Sequence, residues 1–167
     1  MAISGITKLI NDLTEQTTIQ DTDYMIIGGA DAKKIKWTNI ITKIKNTIMS
    51  DSGWKTATLT SNFALYGSGG SPVRYRKIGN KVMIEGVVSP TKTLTSSATS
   101  IAMFTLPDGY RPTKAKYLVC PGSIKNSWLL TVSPTDGTVS VARYGTSGFT
   151  DMTTSAWLPF NFEFVID

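Results

Sequence analysis

From Trp54 to the C-terminus, apolar and polar residues alternate in short runs, whereas before Ser50 apolar residues recur at three- and four-residue spacing. Recurrence at i, i+3 and i+4 lines one face of a helix, and strict alternation lines one face of a strand. The clearest alternation is the last run, where Phe160, Phe162, Phe164 and Ile166 share a face and Asn161 and Glu163 take the other. The same pattern predicts strands at Trp54–Leu59, Phe63–Tyr66, Val73–Ile78, Lys81–Val88, Ile101–Thr105, Lys116–Cys120, Trp128–Ser133 and Thr138–Arg143, with Phe160–Ile166 completing the set. Gly79-Asn80 and Asp136-Gly137 accept positive φ, so each is expected to close a tight hairpin. Short strands, frequent turns and no helical period predict an antiparallel β-sandwich, jelly-roll-like, over residues 53–167.

The first fifty residues read differently. Ile3, Ile6, Ile10 and Leu13 fall at a, d, a, d positions with Leu9 beside them, which predicts a helix over 3–13. Ile at both core positions favours three strands, and a helix this short does not offset its nucleation cost alone. Tyr24–Ile27 and Lys34–Trp37 form an expected hairpin around the Gly-rich stretch 28–32. Thr38 or Asn39 is then placed to cap a second helix, whose Ile41, Ile44 and Ile48 repeat the seam with Ile40 on its flank. Residues 1–52 are thus expected to be a helix-hairpin-helix stem that trimerises through these isoleucines and Leu13, because one copy cannot bury their apolar faces. Ser50-Asp-Ser-Gly punctuates the chain before the head, and the whole is expected to be mainly β.

Composition sharpens this picture. Twenty-four Thr and sixteen Ser, with charged residues at only 17%, suit hydrated β-structure better than helix. The net charge of +5 is spread out: residues 1–50 hold six Lys against five acids, and residues 51–167 hold eleven Lys or Arg against seven. No basic arm gathers enough cations to bind nucleic acid. The densest group, Arg74, Arg76, Lys77 and Lys81, straddles a hairpin turn and reads as a solvated edge. No run approaches a membrane span, and the N-terminus lacks a secretion signal, so synthesis in a cytoplasm is expected.

The candidate chemistry is recognition without reaction. The chain has no His, which removes the usual base of a nucleophilic triad and the commonest transition-metal ligand. The head offers only Asp51, Glu85, Asp108, Asp136, Asp151, Glu163 and Asp167 as carboxylates; Asp108 and Asp136 fall in turns and Glu85 and Glu163 at outward strand positions, so no catalytic pair is expected. Gly67-Ser-Gly-Gly-Ser-Pro lacks the Lys-Ser/Thr of a phosphate loop. Cys120 is the sole cysteine, follows an apolar run and is expected to be buried, which excludes an intramolecular disulfide. Neither a cofactor nor a metal is expected. Aromatic rings near loops could instead stack on the apolar face of a sugar. The candidates are Tyr110 with Arg111, Trp128, Tyr144 with Arg143, and Asp151 with Trp157. Trp128 and Trp157 border hydrophobic strands, which also suits a core position, and Tyr144 is the ring expected at the surface.

Two regions carry a resemblance. Thr18-Ile-Gln-Asp-Thr-Asp-Tyr-Met-Ile-Ile-Gly-Gly followed by Lys33-Lys-Ile-Lys-Trp-Thr-Asn-Ile resembles an N-terminal module of siphophage tail fibre and baseplate proteins. Gly53-Trp, Val73-Arg-Tyr-Arg-Lys-Ile-Gly-Asn-Lys-Val and Leu106-Pro-Asp-Gly-Tyr-Arg-Pro, in that order, resemble the receptor-binding heads that follow such modules. The resemblance implies a homotrimer in the virion, made in the host cytoplasm and held to other tail or baseplate proteins by its N-terminal region. It further implies a bacterial surface polysaccharide or teichoic acid as receptor, with no catalysis and no membrane insertion. A purely structural tail protein and a depolymerase fragment are the alternatives.

Overall fold

The computed structural model describes residues 17–27, 33–67 and 71–166. The expected helix over 3–13, with Ile3, Ile6, Ile10 and Leu13, lies outside these residues, as does the turn at 28–32. The chain divides into two compact units between Thr47 and Ile48. Taken by itself, the first holds a hairpin of β1 (Tyr24–Ile27) and β2 (Lys33–Lys36), paired antiparallel with Tyr24 opposite Lys36. Helix α1 (Trp37–Ile48) follows β2 without a connecting residue. Neither Thr38 nor Asn39 therefore stands at its cap, because the chain turns one residue earlier, where the Trp37 N–H donates to the Asp23 carbonyl. No side chain described in residues 17–47 is buried. Ile41 is half-buried, while Ile44 and Ile48 are 43% and 66% exposed.

The second unit is built from strands. Each strand expected from Trp54 onward has an observed counterpart: β3 (Lys55–Thr56), β4 (Phe63–Leu65), β5 (Arg74–Ile78), β6 (Lys81–Pro90), β7 (Ile101–Thr105), β8 (Lys116–Pro121), β9 (Ser127–Val132), β10 (Thr138–Gly145) and β11 (Leu158–Val165). Among the described residues the fold is mainly β, with three antiparallel sheets and one α-helix. One sheet of the head has the order β11-β6-β5-β3. Strand β4 also pairs with β6, on residues 88–90, beyond the 81–85 stretch that β5 occupies. Since Val88 already pairs with Leu158 of β11, β4 and β5 lie end to end along the other side of β6. The second sheet runs β7-β10-β9-β8, a single Greek key. A jelly roll needs two such keys. The jelly-roll expectation is corrected accordingly, because the turn at Gly79-Asn80 pairs β5 directly with β6 inside one sheet.

Both sheets face one apolar core. Along β6 burial alternates strictly, with Val82, Ile84 and Val88 fully inside. Phe160 of β11 stacks on Phe104 of β7 at 6.1 Å between ring centroids and meets Trp128 of β9 edge-on at 6.2 Å, so one ring ties the two sheets together. Cys120 is in this core as expected, and burial pushes its thiol up to about 11. Outside the strands, Leu94 bridges to Met152, and both side chains are buried, which pins two long connections to each other.

Candidate binding surface of the head

Strand β10 separates the predicted site residues into two groups at its opposite ends. At the Thr138 end the chain leaves β7 through Leu106-Pro-Asp-Gly-Tyr-Arg, and a turn forms where the Tyr110 N–H donates to the Pro107 carbonyl. Arg111 folds back on this turn: its Nε donates to the Leu106 carbonyl at 3.0 Å and its Nη1 meets Asp108 at 2.6 Å. Gly137 lies under the same guanidinium, where a Cβ would sit 2.8 Å from Nε. Arg111 is thereby occupied in holding the loop, and Tyr110 beside it is half-buried and packed against the core.

The surroundings of Tyr110 come from two distant segments, β5 and the stretch around β3. Tyr75 of β5 meets its ring edge-on, 5.0 Å between centroids at 80°. Lys55 Nζ of β3 lies 5.3 Å from the Tyr110 centroid and Lys77 Nζ of β5 lies 5.9 Å from it. Lys77 also donates to the Gly109 carbonyl at 3.0 Å. Burial alone would raise the Tyr110 pKa, but hydrogen bonding with Ser52 and Lys55 and the positive charge of both lysines outweigh it and bring it below the ordinary value. The hydroxyl of Tyr110 reciprocally raises the pKa of Lys55. Sequence reasoning had Tyr110 but missed Lys55, Lys77 and Tyr75. The signal available was alternation in β5, where Tyr75 and Lys77 share one face and Arg74 and Arg76 the other.

That other face is charge-balanced. Arg74 stacks over Trp54 with its Cζ 4.5 Å from the ring and pairs with Glu85 at 2.6 Å. Arg76 pairs with Asp51, whose carboxyl is pulled down to about 2, first by Arg76 and then by the Gly53 N–H. Lys81 meets Glu163 at 3.0 Å. Lys77, grouped in the sequence with these residues as one solvated edge, faces away from them toward Tyr110.

The second group lies at the Gly145 end of β10. Trp128 is buried, with its Nε1 donating to the Pro121 carbonyl at 2.8 Å, so it serves the core and not a surface. Tyr144 is buried too, against the expectation that it is exposed. The cause is a bulge: Arg143 adopts φ 57° and the register with β9 shifts between Ala142 and Gly145. This resets the alternation, so Arg143 points to solvent and Tyr144 turns inward, with its ring carbon Cε2 2.8 Å from where a Cβ on Gly122 would stand. Asp151 is exposed, and Trp157 is 38% exposed with its N–H donating to Ser123 Oγ. None of the seven predicted residues lines the open cavity of about 340 Å³ formed by Ser71, Glu85, Val87, Pro121, Pro159 and Asn161 with their neighbours.

Among the described residues no three His, Cys, Asp or Glu side chains gather to hold a metal ion. No helix among them is long and apolar enough to cross a membrane.

No protein-family model and no curated protein matches the chain. Among solved structures the chain is similar to the receptor binding protein of Listeria phage PSA, with 15% sequence identity and a TM-score of 0.49 over 75% of this chain and 71% of that one.

Proposed function

We propose that the chain is a phage tail adhesion protein: a homotrimer whose N-terminal unit joins it to other tail or baseplate proteins and whose β-sandwich head binds a bacterial surface saccharide or wall polymer without catalysis. The observation that carries this reading is the contrast between the units. The head completes its own core, while no described side chain of residues 17–47 is buried, although they include Ile19, Tyr24, Met25, Ile26, Ile41 and Ile44. An element that leaves such residues open is completed by association, and three weakly binding heads held together gain avidity by a factor of roughly 10²–10⁴. The sequence resemblance to tail fibre and baseplate modules supports the same assignment and a location in the virion. The test is light scattering across a dilution series together with sedimentation of the protein on purified cell walls from a panel of bacteria. The reading expects three times the 18.1 kDa chain mass and pelleting on some walls. A monomer at every concentration that pellets with none would overturn it. Reducing sugar appearing in the supernatant would remove the non-catalytic part.

One observation favours a second reading, in which the head only packs against a virion neighbour. Tyr117 and Val119 are 62% and 69% exposed on strand β8 at the edge of the Greek-key sheet, beside Leu129 and Thr131 in register. Tyr117→Glu with Val119→Lys discriminates the two: wall binding unchanged but loss of incorporation into particles favours packing.

A further inference from the structure

We propose that the outer edge of β8 is a self-pairing surface: two heads join antiparallel through Tyr117–Val119 about a two-fold axis at Leu118, making one continuous sheet from the four-stranded sheets of two copies. This goes beyond the adhesion reading and does not depend on the stem. Strand β8 ends its sheet, and among the described residues no bond between backbones joins Lys116–Pro121 to anything but β9. At the end of that ladder the Gly122 N–H donates to the Asn126 carbonyl at 2.7 Å, in the same register. The alternation of an antiparallel ladder then turns the backbone groups of Leu118 and Cys120 toward β9 and those of Tyr117 and Val119 outward. Pro121, the next outward residue, has no N–H to offer, which ends the edge there.

The other strands at sheet ends are blocked. The Met103 carbonyl of β7 takes the Thr60 N–H, β11 carries Pro159 and the charged Glu163, and β3 is two residues long. Strand β8 instead shows Tyr117 and Val119 to solvent, with neither a charge nor a bulge between them. Its sequence selects a second copy as the occupant. About an axis at Leu118, Tyr117 of each copy stands opposite Val119 of the other, and the two exchange both backbone hydrogen bonds. An aromatic ring beside a β-branched side chain is a favourable cross-strand pair. Half-buried Leu118 meets its own copy, and Lys116 stands against Cys120 rather than a second Lys116, so no like charges face each other. One strand pair is smaller than a stable protein interface, so the contact forms only at high local concentration.

The experiment follows the mass of the full chain by light scattering from micromolar to near-millimolar concentration. Wild type is expected to rise at least about twofold above its low-concentration plateau. Tyr117→Lys with Val119→Lys sets lysine against lysine at both pairs and is expected to weaken association at least about tenfold, holding the plateau. Tyr117→Glu with Val119→Lys sets opposite charges together in this register and is expected to rise like wild type. Added NaCl should suppress the rise of that opposite-charge variant and leave the wild-type rise in place. All these side chains are exposed, so thermal midpoints equal to wild type are expected. Wild type that stays on its plateau, a like-charge variant that rises, or an opposite-charge variant that does not rise overturns the pairing. A plateau at one chain mass with the rise intact supports the edge and overturns the trimer, and a plateau at three without a rise does the reverse. An opposite-charge variant that loses both the rise and its place in particles overturns self-pairing in favour of a virion neighbour on the same row.

Discussion

Gly137 shows how much one position can carry. It has φ 75° in the turn between β9 and β10, and a Cβ there would stand 2.3 Å from the Leu106 carbonyl oxygen. Gly137→Ala is therefore expected to destabilise the head by about 2 kcal/mol, seen as a lowered thermal midpoint, since left-handed strain and a backbone clash act together. Ile124 argues the opposite way. It is a β-branched residue at φ 52° and is 91% exposed, so its side chain contributes little packing. Ile124→Gly should stabilise by about 1 kcal/mol in the same assay. Asp51 sets a pH dependence. Its folded pKa lies below the ordinary 3.8, so the stability it contributes is fully present above that value and is lost as pH falls toward 2. Denaturant titrations from pH 5 to 2 should show a shallower acid loss in Asp51→Asn than in wild type. At Tyr110, Lys55→Gln should move the phenol pKa upward, read as the 295 nm titration difference between that variant with and without Tyr110→Phe.

Among the elements, alternation was sufficient wherever a strand kept one face on the core. In β6 and β11 the period-two burial follows the sequence residue by residue, and the paired turn residues at 79–80 and 136–137 fixed which strands meet. The same rule failed at Arg143, because a one-residue bulge inverts every face beyond it and leaves no local mark in the sequence except a following glycine. Tyr144 was misplaced for that reason alone. The jelly-roll expectation failed on a different ground: strand positions are local, but sheet order depends on connections, and those around residues 91–100 and 146–157 have no period to read. The Lys55, Lys77 and Tyr110 group was illegible because its members sit on β3, β5 and the loop after β7, brought together only by pairing of β3 with β5 and by the turn at 107–110. Arg111 was read as part of a binding pair and proves to be the residue that shapes the loop for its neighbour.

At the scale of the whole molecule the two units divide the work of stability unequally. The head owns a core from both sheets and needs no partner to keep it dry, whereas the hairpin and α1 leave their isoleucines to water unless another surface arrives. A protein arranged in this way should lose its N-terminal order first on dilution and keep its head. The single thiol gives that asymmetry a clock. Cys120 sits at 2% exposure between the sheets and no other cysteine exists in the chain, so a thiol reagent reaches it only when the head itself opens. Labelling kinetics would time the breathing of one half of the molecule with the other half invisible. If the stem is the part that responds to concentration, the labelling rate should stay constant across a dilution series in which the measured mass falls.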